Sequence, residues 1–182
     1  MNFQKISKEK ILLKNIINSI KKLNSKKKSF YLHSPVINKK DKLSVLNCLS
    51  STYISTYSHI TKKFERNIRN YTKAKFSIAT INATSAIHVS LKAVGVKKDD
   101  EVLVGDLNYI AAANTVLYLG AVPHFVDINL ENLFIDTNKL EIYLKKNTYC
   151  KKNFFYNKKT GRKITAIIAT YIFGKGGDIS KL

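Results

Sequence analysis

Residues Ala79 to Val104, ATINATSAIHVSLKAVGVKKDDEVLV, decide how the rest of this chain is read. The spacing predicts a strand over Phe76–Ile81, a turn at Asn82-Ala83-Thr84-Ser85 and a helix over Ser85–Val94. A turn containing Gly95 and a second strand over Glu101–Val104 follow. A βαβ unit whose first turn carries small and hydroxyl residues at a helix start is suited to hold an anion. Ser and Thr are also ordinary helix N-caps, so the turn alone does not decide between the two roles.

The alternation continues outward. Strands are expected over Pro123–Val126 and Lys163–Ala169, and helices over Ile110–Leu119 and Asn138–Lys146. Such a series predicts an α/β fold, a mainly parallel sheet with flanking helices joined by right-handed crossovers. Asn157 to Arg162 reads as a turn before the last strand. Upstream, a polar loop over Ser50–Ser58 precedes a helix around Phe64, Ile68 and Tyr71. Before that loop, Asp41 is the expected N-cap of a helix with Leu43, Leu46 and Leu49 on one face. Ile6–Leu23 reads as a basic amphipathic helix and Lys26-Lys27-Lys28 as a linker. The expected division is therefore 1–29, helix and linker, and 30–182, the α/β part. The helix is expected to pack on its own domain or a neighbouring subunit rather than on a membrane.

With 182 residues and 45% hydrophobic content the chain can bury one real core. Lys and Arg total 32 against 12 acidic residues, a net of +20. A polyanion partner is one reading of that charge, but only Arg66, Arg69 and Arg162 are arginines and the lysines are spread along the chain. No nucleic-acid partner is expected, and no apolar run approaches membrane-spanning length. Cys48 and Cys150 lack metal-ligand spacing, so neither a zinc site nor a disulfide framework is expected. A cytoplasmic location is the default reading.

Asn82 to Ser85, then Leu107-Asn108-Tyr109-Ile110-Ala111-Ala112-Ala113-Asn114 and Gly120-Ala121-Val122-Pro123-His124-Phe125-Val126-Asp127, carry a specific resemblance. In order and spacing they resemble the DegT/DnrJ/EryC1/StrS sugar aminotransferases, closest to the subgroup that aminates nucleotide-linked 4-keto sugars. The resemblance runs from about Leu32 to Leu182. It implies the N-terminal part of a fold type I large domain with pyridoxal 5'-phosphate as cofactor, and a nucleotide-linked keto-sugar and an amino donor as substrates. It places Ala83, Thr84 and Ser85 around the cofactor's phosphate, the Tyr109 ring on the pyridine, and Tyr53 and Ser55 beside the sugar. His88 falls in packing, and Asp127 either caps a turn or serves the site. The family's Schiff-base lysine and its acidic partner are expected outside these residues, so no catalytic residue is assigned; Lys175 and Lys181 read as solvated. An incomplete or inactive fragment is thus expected, partnered by a second copy or a complementary C-terminal half. The alternative is a non-catalytic interaction module. In the family's sheet the first strand joins through later strands, so Phe76–Ile81 is expected to lack its neighbours. Departures from the pattern fall at Ser58, Gly105, Asn108, Ala112 and Ala169-Thr170-Tyr171.

Overall fold

The computed structural model describes residues 3–23 and 35–182, which form two compact units, Met1–Ile60 and Thr61–Leu182. The lysine linker expected at Lys26–Lys28 lies outside the described residues.

The first unit contains helices α1 (Phe3–Leu23) and α2 (Lys39–Ser50). From Glu9 to Leu23 every side chain of α1 is exposed, including Ile16, Ile17 and Ile20 on its apolar stripe. Asp41 is not the N-cap of α2. Asn38 is the cap, its Oδ1 accepting from the N–H groups of Lys40 and Asp41, and Asp41 returns the favour by accepting from Asn38 N–H at 2.8 Å. This reciprocal capping box places the acid at the third helical position, one turn later than expected.

The second unit is a five-stranded sheet in the order β2-β1-β5-β4-β3, with helices on both faces. Helix α3 (His59–Thr72) leads into it, followed by α4 (Ala83–Ala93), β1 (Glu101–Gly105), α5 (Ile110–Tyr118), β2 (Val122–Val126) and α6 (Thr137–Asn147). The strands β3 (Thr148–Lys151), β4 (Phe154–Asn157) and β5 (Lys163–Ile168) complete it. β1 pairs in parallel with β2 and with β5, whereas β4 pairs antiparallel with both β5 and β3. All five residues of β1 are buried, as a central parallel strand requires. Val102 and Val104 pack with Leu91 of α4 and Ala112 and Val116 of α5; Leu103 packs on the other face with Val126, Phe134, Ile135 and Leu140.

Helices α4 and α5 stop by the same device. Gly95 (φ +88) and Gly120 (φ +69) take the left-handed conformation that ends a helix, and Val96 and Ala121 N–H return to Leu91 O and Val116 O. A side chain at either glycine would be strained.

Two further expectations need correction. Phe76–Ile81 lacks neighbours, as expected, and so is not a strand: no ladder forms there among the described residues, and Phe76, Ile78 and Ile81 are exposed. One tertiary bond, Ala79 N–H to Glu65 Oε1 at 2.9 Å, ties the segment to α3. Strand propensity does not make a strand without a neighbouring edge, and no position in the sheet order is offered to these residues. The sheet is also less parallel than expected, because β3 and β4 add an antiparallel hairpin. Their two-residue turn has Lys152 at φ +51 and Asn153 at φ +61, the pair of positive angles of a type I′ turn.

Candidate functional site at the carboxyl end of the sheet

β1 leaves the sheet at Gly105 and turns through Asp106–Tyr109 into α5, so α5 starts at the carboxyl end of the parallel strands. α4 runs the same way: it ends at Ala93, just before the chain enters β1 at its amino end, and packs beside α5 on the same core. The amino ends of both helices therefore face the end of the sheet where parallel α/β folds place ligands.

At the start of α4, Asn82 is the N-cap and its Oδ1 accepts from Ser85 N–H at 2.8 Å. Ala86 N–H reaches Asn82 O. The Ala83 and Thr84 N–H groups remain among those a helix start cannot satisfy internally, and they stand at its positive end. The Thr84 and Ser85 side chains are half-buried, and neither hydroxyl has a hydrogen-bond partner among the described residues. Neither serves as the cap, which is the asparagine before them. Ala83 is helical, so the residue standing where the family pattern has glycine carries no backbone strain. Asn82→Ala should cost about 1 kcal/mol of stability in urea unfolding, the usual value of such a cap; an unchanged midpoint would show that the cap is dispensable.

Tyr109 is the N-cap position of α5 and is 77% exposed. The Asn108 side chain links three points: Oδ1 accepts from Tyr109 N–H at 2.8 Å, and Nδ2 donates to Thr170 Oγ1 at 3.0 Å on the segment leaving β5. Tyr171 then stacks on Phe134, with centroids 5.2 Å apart. Free helical N–H groups and two hydroxyls at a helix start suit an anion, and an open aromatic ring suits a flat partner. The neighbours hold other roles. Asp127 lies just past β2 and caps the turn through Ile128 N–H; that bond and Lys139, 2.6 Å away, hold its carboxyl below the ordinary range, the lysine more strongly. His88 packs with its ring 6.3 Å from Tyr118, its Nδ1 buried without a partner among the described residues. Lys175 and Lys181 are exposed.

Tyr53 and Ser55 belong to the first unit. Tyr53 is largely exposed, its carbonyl 3.9 Å from Cys48 Sγ, and Ser55 Oγ accepts from Tyr57 N–H at 3.2 Å. The Asn108 bridge escaped the sequence reading, because residues 62 positions apart meet only through the β1–β5 pairing.

The family model described as the DegT/DnrJ/EryC1/StrS aminotransferase family matches residues 35–182. GDP-perosamine synthase of Caulobacter vibrioides is 41% identical over 97 residues, which cover 53% of this chain and 26% of that protein. GDP-perosamine synthase of Escherichia coli O157:H7 is 29% identical over 151 residues, covering 83% of this chain and 37% of that protein. Among solved structures, a putative sugar aminotransferase from Streptococcus pneumoniae in its PMP form superposes with a TM-score of 0.66. Its 24% identity extends over 84% of this chain and 34% of that one, a likeness of fold. The chain thus spans between 26% and 37% of the length of these relatives.

Proposed function

The chain belongs to the DegT/DnrJ/EryC1/StrS aminotransferase family, and from that premise we propose that it carries the phosphate- and ring-holding part of a pyridoxal-phosphate-dependent aminotransferase. The substrate class is a nucleotide-linked keto-sugar with an amino donor, in amino-sugar and surface-polysaccharide synthesis. The observation that carries this reading is that α4 and α5 both start at the carboxyl end of the parallel strands, with Tyr109 at the head of α5 and Asn108 bonded to Thr170 past β5. The names of the matched relatives support the substrate class.

In this role the Ala83 and Thr84 N–H groups, with the Thr84 and Ser85 hydroxyls, bind the cofactor's phosphate. The dipole of α4 adds attraction for its charge. Tyr109 lies against the ring and sets its tilt. Bound there, pyridoxal phosphate supplies the electron sink for moving an amino group. The partner we propose is a complementary C-terminal segment, or a second copy, that covers the free edge of β5. What supports it is that β4 pairs with β5 only at Lys163 and Ile164. From Thr165 onward that edge carries no ladder among the described residues and borders an apolar groove of about 510 Å³ under α4.

Pyridoxal phosphate titrated into the chain, followed by tyrosine fluorescence and calorimetry, tests the reading. Thr84→Ala/Ser85→Ala should remove about 1–3 kcal/mol of binding, typical of hydrogen bonds to a charged group. Equal binding by the double variant would reduce the turn to a helix start and sink the proposal.

A further inference from the structure

Asn108 and Thr170 both stand in stretches where this chain departs from the pattern of its family, and they bond to each other. The chemistry of the contact fixes its polarity. A backbone N–H needs an acceptor, so the amide oxygen of Asn108 must face Tyr109, leaving Nδ2 for the Thr170 hydroxyl, which can accept. One half-buried side chain thereby joins the loop after β1 to the segment after β5 and pins the backbone that carries the Tyr109 ring. The residue is exposed and its ring stacks on no aromatic among the described residues, so its backbone anchor is what sets its position. Beneath the bridge, Tyr171 is held by its stack on the buried Phe134, which makes the β5 side of the bridge the firm one.

We propose that Asn108 is a positioning residue that clamps Tyr109 to the β5 exit through Thr170 and so presets the aromatic surface for a ring bound at the α4 start. The proposal rests on the functional reading above for the identity of the ring. It separates the site into two parts with different sensitivities. Phosphate capture belongs to the α4 start and does not pass through Asn108; ring placement does. Preorganisation of this kind contributes to affinity by removing the cost of ordering the loop at the moment of binding.

Three single-chain variants test it: Asn108→Ala, Thr170→Val and the combination. Two quantities are read for each, the hydrogen-exchange rate of the Tyr109 amide without ligand and the affinities for inorganic phosphate and for pyridoxal phosphate. The expected result is Tyr109 exchange about tenfold faster in Asn108→Ala, the loss of one net hydrogen bond, and a smaller rise in Thr170→Val. Pyridoxal phosphate affinity should fall several-fold in both, with phosphate affinity unchanged, and the double variant should be no worse than Asn108→Ala, because the two residues act through one contact. Exchange at Tyr109 unaltered in both single variants would overturn the clamp, whether or not the cofactor binds. So would equal losses for phosphate and pyridoxal phosphate, which would mark a general loss of fold. A parent chain that binds neither ligand would count against the functional reading, while the exchange measurement would still decide the clamp.

Discussion

Glu101→Ala is expected to destabilise the Thr61–Leu182 unit by about 3–5 kcal/mol, the range for removing one partner of a buried charged network. Glu101 opens β1 and is 2% exposed. Its Oε1 accepts from Thr160 Oγ1 at 2.5 Å, and its Oε2 accepts from Asn157 Nδ2 at 2.9 Å and faces His124 Nδ1 at 2.7 Å. His124 Nε2 in turn meets Tyr143 OH at 2.9 Å. One carboxylate thus ties β1 to β2, to α6 and to the turn between β4 and β5. Removing it leaves several donors inside the protein without an acceptor, and that desolvation cost exceeds the value of any single bond. Chemical denaturation of the parent and variant measures the loss; a change under 1 kcal/mol would mean that water replaces the carboxylate.

The same residue gives the acid limb of stability its shape. Burial pushes the Glu101 pKa up, but hydrogen bonds from Thr160, Asn157 and His124, with the charge of His124, outweigh burial and hold it below the ordinary carboxylate value. A folded pKa below the unfolded one contributes stability that is fully present above the unfolded value. That contribution is lost as pH falls through the ordinary carboxylate range towards the lowered folded pKa. Glu101→Gln should flatten this limb. Asp127, Glu141 and Asp178 are shifted in the same direction, but their carboxylates are exposed and screened by solvent and salt, so they add little.

Phe134→Ala should cost about 3–5 kcal/mol, as large-to-small changes at filled core sites do. The ring is 1% exposed and packs with Leu103, Val126, Ile135 and Leu140 below β1 and β2. It also fills the space beside Gly177, where a β-carbon would overlap it, so Gly177→Ala is expected to be harmful for the complementary reason. Because Phe134 supports Tyr171, its loss should speed exchange at the β5 exit more than in the hairpin β3–β4. Uniform change across both, seen by hydrogen exchange, would show that Phe134 serves global stability alone.

Much of the architecture is written locally. Helices α4, α5 and α6 begin and end within two residues of where periodicity and turn residues place them, since each stop uses a glycine or a cap within one turn of the helix. The three parallel strands are equally legible, as short apolar runs between helices. The start of α4 was visible as a pattern too, because small and polar residues gather where a helix begins. The hairpin was not recovered, although Lys152-Asn153 between aromatic and β-branched residues is a usable signal. A two-residue turn without glycine resembles an ordinary polar loop until its angles are known.

Other features belonged to tertiary structure alone. Phe76–Ile81 has the composition of a strand, and its lack of neighbours was expected only from the family resemblance, because pairing depends on a partner that local sequence cannot supply. Glu101 opens its strand as a buried acceptor, which local sequence does not reveal, since its three donors come from positions 23, 56 and 59 residues away. Asn108 and Thr170 meet only because β1 and β5, distant in sequence, lie side by side. By itself the sequence determined what each segment can be, through periodicity, caps and turn chemistry acting within a few residues. Which side chains meet was decided by strand order, because long-range contacts depend on how the sheet is assembled and not on any one segment's preferences.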